Sequence, residues 1–154
     1  MLEKVLSRQL ESKDVQVRCT VAEALGQIGE AAVYHAPLLG QSLDDEDEHV
    51  RRAAGWALAR MGPGGAEVLA RSLHPDCRNY AKVSASEALA TMGPLAAPHV
   101  AALMGLLQDP DALSKQATAK AISRLTLEIA TDIAPFAPCL AMRLDDIDEI
   151  TCSE

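Results

Sequence analysis

A pattern of thirteen residues returns at nearly constant intervals along this 154-residue chain, and that repetition restricts its fold more than any other feature. At 17–29 it reads Val-Arg-Cys-Thr-Val-Ala-Glu-Ala-Leu-Gly-Gln-Ile-Gly; counterparts span 50–62 and 81–93, and a weaker copy occupies 114–126. The offsets are 33, 31 and 33 residues. Within a copy, apolar or small residues fall at i, i+4, i+7, i+8 and i+11, as in Val17, Val21, Ala24, Leu25 and Ile28, or Val50, Ala54, Ala57, Leu58 and Met61. That spacing traces one stripe of an α-helix and does not suit a strand. Every copy has alanine at i+7 (Ala24, Ala57, Ala88 and Ala121), a small residue that admits a neighbouring helix, and Ala57 and Ala88 are expected at buried helix contacts. Gly29, Gly62 and Gly93 close the first three copies as C-caps, and Pro63 and Pro94 prevent continuation.

A second, shorter helical pattern lies between the copies. Leu39 and Leu43 correspond to Leu69 and Leu73, Leu103 and Leu107, Leu140 and Leu144, and at the start to Leu6 and Leu10. Acidic turns follow, and Asp14, Asp47 and Asp111 each stand three residues before a stripe begins, where they cap orphan N–H groups. The spacing predicts long helices over 15–28, 48–61, 79–92 and 112–125, and short ones over 2–11, 37–44, 66–73, 98–108 and 135–144. Each hairpin has an apolar face that it cannot bury alone, so the units must stack. The expected fold is all-α: an α-solenoid in one domain, 1–154. It comprises a lone helix (2–11), four repeats (14–46, 47–77, 78–110 and 111–147) and an acidic stub (145–154). Composition agrees, with 27 Ala, 20 Leu and only Tyr34, Trp56, Tyr80 and Phe136 as aromatics.

The sequence Asp-x-x-Val-Arg-x-x-[Ala/Val]-x-x-Ala-Leu-x-x-[Ile/Met]-Gly-Pro, followed by Ala-Pro and a Leu-x-Asp turn, resembles HEAT repeats, in particular the short repeats of phycobilisome bilin lyases. The resemblance covers 1–151 and implies a solenoid with a binding or scaffold role. The chain departs from the pattern in three places. Unit two has the compressed turn Gly62-Pro63-Gly64-Gly65 and no second-helix proline like Pro37 or Pro138. Arg78 replaces the capping Asp in unit three. Unit four lacks Gly-Pro and opens its stripe on Ser114.

Lys and Arg number 14 against 22 Asp and Glu, a net charge of -8, which argues against binding nucleic-acid phosphates. No run of 18 apolar residues or signal-peptide core occurs, so a soluble, intracellular chain is expected. Cys19, Cys77, Cys139 and Cys152 fit no zinc-ligand spacing and read as reduced thiols. His35, His49, His74 and His99 are never followed by Glu, unlike the His-Glu pairs of the HEAT-fold iron hydroxylase that acts on deoxyhypusine. Catalytic triads, phosphate loops and EF-hand loops are likewise missing from the sequence, so no catalytic residue, cofactor or metal is expected. The basic residue after each stripe start (Arg18, Arg51, Lys82 and Lys115) is read as a charge ladder facing the preceding acidic turn.

Two features point to partners. Trp56 occupies the i+6 slot, where the other copies carry Glu23, Glu87 and Lys120, so it is expected to face outward and to stand partly in solvent as an interface anchor. The alternative folds it over the neighbouring Gly-rich turn. The later short helices carry Met104, Leu106 and Met142, an apolar inner-face patch suited to adaptable contact. The sequence therefore reads as a non-enzymatic protein–protein interaction scaffold or adaptor, as a subunit or fragment of a larger assembly, with both ends expected as unfinished stacking surfaces. The alternative is a bilin lyase-like, chromophore-handling protein, implied by the repeat subclass alone.

Overall fold

The computed structural model describes residues 2–128. Eight α-helices follow in order: α1 (Leu2–Leu10), α2 (Val15–Ile28), α3 (Ala36–Ser42), α4 (Glu48–Arg60), α5 (Pro63–Arg71), α6 (Asn79–Ala90), α7 (Val100–Leu106) and α8 (Ala112–Glu128). Two 3₁₀ stretches, Gly29–His35 and Gly93–His99, lead into α3 and α7. The long helices α2, α4, α6 and α8 pack side by side in sequence order, and α1, α3 and α5 form a second row against them. This is an all-α solenoid.

Helix ends follow the local chemistry. Asp14 accepts from the Gln16 N–H at 2.8 Å, and Asp47 accepts from the N–H groups of His49 and Val50. Gly29, Gly62 and Gly93 all have positive φ (68°, 67° and 56°). Only Gly29 caps its long helix as expected: Met61 caps α4 and Gly62 opens α5 directly, while Thr91 caps α6 and Gly93 opens the second 3₁₀ stretch. In unit two the short helix therefore starts at Pro63, three residues before the predicted 66, because Gly65 lets it pass tightly over α4. A Cβ at Gly65 would lie 1.8 Å from the Leu58 carbonyl oxygen. The 3₁₀ turns of units one and three absorb the residues that α5 takes up, and α3 and α7 are each only seven residues long. Helix α8 runs three residues past the predicted 125, since no Gly-Pro stops it. The helix expected at 135–144 lies outside the described residues.

The core is built from the two leucine patterns. Leu39, Leu43, Leu58, Leu69, Leu89 and Leu103 are fully enclosed, and each such side chain contributes about 1.5–3 kcal/mol by leaving water. Ala57 and Ala88 are buried, as their position required. The equivalent Ala24 is exposed, because no long helix among the described residues covers that side of α2. Ser114 is fully buried yet satisfied: its N–H and hydroxyl donate to Asp111 at 2.8 and 2.9 Å. Next to it Ser86 and Thr118 share a hydrogen bond of 3.3 Å between α6 and α8.

The charge ladder holds only in part: Arg51 faces the preceding acidic turn, while two other rungs are buried and pair forward. Arg18 and Lys82 are buried and pair with the turn that follows their helix, 27 residues on. Arg18 forms a fork on Asp45 (2.8 and 3.0 Å), and Lys82 Nζ donates to Asp109 at 2.7 Å. The residue 27 positions after Arg51 is Arg78, of the same charge, because unit two is shortened. Arg51 keeps only a backward contact, of the kind Arg18 also makes to the Ser12 carbonyl, donating to the carbonyls of Asp45 and Glu46 at 2.7 and 3.0 Å.

Candidate interaction surface

Trp56 is 45% exposed on the outward face of α4, as its slot required. It does not fold over the Gly62–Gly65 turn. Its ring lies on α2 at Gly26, where a Cβ would come within 2.5 Å of Cζ3 of Trp56 and 2.8 Å of the Ala57 Cα. The missing side chain is the seat. Arg60, one turn further along α4, closes over the indole at 5.1 Å from its centroid while its Nε donates to the Gly26 carbonyl at 2.9 Å. The ring is thus held from beneath and above, with its remaining surface open to solvent.

One helix along, Tyr80 is 55% exposed and lies under the Arg51 guanidinium at 4.5 Å. Two adjoining depressions link these aromatics. A depression of about 150 Å³ lies beside Trp56, and one of about 250 Å³ extends past Tyr80 to Leu113 and Lys120 on α8. Both are lined by Arg51, Arg52, Ser84 and Glu87. The sequence marked Trp56 but missed Gly26, Arg60 and Tyr80. A glycine inside a helical stripe was the available signal for close approach.

Of the other candidates, Met104 is half-buried against the core and Leu106 is 3% exposed. Leu106 forms part of the wall of a largely apolar groove of about 650 Å³ between α5 and α7, with Leu73, Ala102 and Gly105. Met142 lies outside the described residues. The groove and Trp56 are separate surfaces.

The two buried ion pairs hold the turns beneath this surface. Burial alone would raise the pKa of Asp109, but hydrogen bonds from Lys82 and the Asp111 N–H, with the charges of Lys82 and Lys115, hold it below the usual carboxylate range. The Asp45 carboxylate raises the pKa of Arg18. Burial, then the nearby charges of Asp47 and Glu23, push the Cys19 thiol up, which keeps it protonated. Among the described residues no cluster of three or more His, Cys, Asp or Glu is placed to hold a metal ion. No helix there is long and apolar enough to cross a membrane.

A family model for HEAT repeats matches residues 2–90. Among solved structures, an engineered protein from the Northeast Structural Genomics Consortium is similar over 90% of this chain and 68% of its own, with 22% identity and a TM-score of 0.52. The complex of CpcE and CpcF of phycocyanin lyase from Nostoc sp. PCC7120 is similar over 82% of this chain and 65% of that one, with 20% identity and a TM-score of 0.39. At such identity the likeness to the engineered protein concerns the fold alone, and the likeness to the lyase complex is too distant to bear on function. No curated protein matches the sequence. The repeated stripe, the stacked hairpins and the family match agree: the chain belongs to the HEAT-repeat family.

Proposed function

We propose that the protein is a non-enzymatic interaction scaffold whose principal contact surface is the outward face of α4 and α6, centred on Trp56. The observation that carries this reading is the clamp on the indole: a large aromatic ring left 45% exposed yet fixed between Gly26 and Arg60. An exposed Trp that merely filled a gap would need no such support. A pre-ordered aromatic anchor loses little freedom on binding, which is the property of an interface hot spot.

Affinity capture with the tagged chain, followed by titration of the recovered partner against wild type and Trp56→Ala, tests this. The expected result is affinity reduced at least about fivefold, more than about 1 kcal/mol, with an unchanged circular dichroism spectrum. Undiminished affinity in a folded Trp56→Ala variant would overturn it.

A second contact surface is proposed at the short helices, in the apolar groove between α5 and α7 whose wall Leu106 forms with Ala102 and Gly105. Ala102→Glu, at an exposed position of that groove, separates the two, since it leaves the Trp56 face intact.

A further inference from the structure

We infer that the trough running from Trp56 across α4, α6 and α8 seats an acidic peptide segment in extended form, carrying at least one large apolar side chain. This rests on the scaffold reading and adds the chemistry of the partner.

The argument begins with charge. The chain carries -8 overall, yet helix α4 alone holds three of its nine arginines, Arg51, Arg52 and Arg60. None of the three forms an ion pair among the described residues. Arg18, Arg71, Arg78 and Lys82 each face a carboxylate of their own, whereas Arg8, Arg124 and the other described lysines, like the α4 arginines, do not. What sets α4 apart is three such arginines on one helix, and for Arg51 the lack of a partner has a structural origin. The register that gives Arg18 and Lys82 an aspartate 27 residues on gives Arg51 the like-charged Arg78. Arg51 and Arg60 accordingly use backbone carbonyls and the faces of Tyr80 and Trp56, contacts that leave their positive charge unneutralised. Arg52 is exposed, and no side-chain hydrogen bond or ion pair occupies it.

Shape supplies the rest. The two depressions meet at Arg51, Arg52, Ser84 and Glu87 and so make one continuous trough over three adjacent helices. Two helix spacings of about 8–10 Å give a length of roughly 16–20 Å, which about five or six extended residues span at roughly 3.3 Å each. Along it Arg51, Arg52 and Lys120, with Arg60 alongside, outnumber Glu48 and Glu87. Trp56, Tyr80 and Leu113, respectively 45, 55 and 62% exposed, offer apolar surface between the cations. Carboxylates meet guanidinium groups as planar, forked acceptors, and an apolar side chain of the peptide covers the ring edges.

The probe is a fluorescein-labelled eight-residue peptide of alternating Asp and Glu around one central Phe. Controls are the same peptide with Lys at every acidic position and an oligothymidine of eight nucleotides. Saturable binding of the acidic peptide is expected, with affinity at least tenfold lower for Arg52→Glu, lower again in 0.5 M salt, and lost in the Lys peptide. Arg52→Glu changes an exposed residue with no hydrogen bond or ion pair of its own, and an unchanged circular dichroism spectrum and melting temperature show that it tests charge and not folding. Absence of saturable binding, equal binding of the Lys peptide, tighter binding of the oligothymidine, or indifference to Arg52→Glu would each overturn the inference. A captured protein partner distinguishes the two levels. If its affinity falls with Trp56→Ala and not with Arg52→Glu, the scaffold reading stands and the acidic-peptide inference fails.

Discussion

Lys82 and Asp109 are each about 5% exposed at the side chain, and neither has another charge to turn to at comparable distance. Removing one partner leaves the other buried and uncompensated, so Lys82→Met is expected to cost about 3–5 kcal/mol. The pair also sets an acid limb. The pKa of Asp109 is lowered by folding, so its stabilisation is complete above the ordinary carboxylate range and is lost as pH falls through that range. Urea denaturation from pH 6 to pH 3 should show a steeper loss for wild type than for Asp109→Asn; parallel curves would exclude the pair as the cause. At Gly26 the expectation is different. Ala would gain up to about 1 kcal/mol in helix propensity but must displace the Trp56 ring and the α4 backbone. Set against an overpacking cost of about 1–3 kcal/mol, Gly26→Ala should lose roughly 1 kcal/mol net and shift the emission of this only tryptophan to the red. The outward position of Trp56 was legible from Glu23, Glu87 and Lys120 at the same register. Its seat was not, because Gly26 lies 30 residues earlier and nothing in a one-dimensional stripe says which neighbour a gap will receive.

At the scale of elements, the long helices were readable almost to the residue because caps and stripe agree at both ends of α2 and at the start of α4. The short ones were less so. A seven-residue helix such as α3 carries barely two turns of pattern, and the 3₁₀ residues before it keep the same hydrophobic rhythm. The buried ion pairs were missed for a related reason. The acidic turns were visible, but which side of a helix faces which turn depends on how hairpins stack, and Arg18 and Lys82 pair with the turn ahead instead of the one behind. Where long helices meet, small residues set the spacing: a Cβ at Gly55 would lie 3.2 Å from that of Ala88, and Gly26 faces Ala57. Ala57→Leu and Ala88→Leu should each destabilise by roughly 1–3 kcal/mol through overpacking. Ala24→Leu on the uncovered side of α2 should be nearly neutral. Chemical denaturation of the three variants checks this, and an equal loss at all three would mean that the contact face is misplaced.

On the scale of the whole molecule, repetition produces the stack and its irregularities produce the surface. Units one and three close their turns with a buried cation on an aspartate. The shorter unit two does not, and it holds Arg51, Arg52, Arg60 and Trp56, with Tyr80 of unit three against Arg51. The shared stripe made the solenoid predictable, while the local breaks in it concentrated the chemistry that a partner would meet. The chain's single tryptophan reports from the centre of that surface. Acrylamide quenching of Trp56, measured in the free protein and with the captured partner at saturation, tests the account most directly. The account predicts moderate quenching in the free protein, matching a half-exposed ring, and at least a twofold fall when the partner is bound. A bound partner that leaves the quenching of Trp56 unchanged would contradict it.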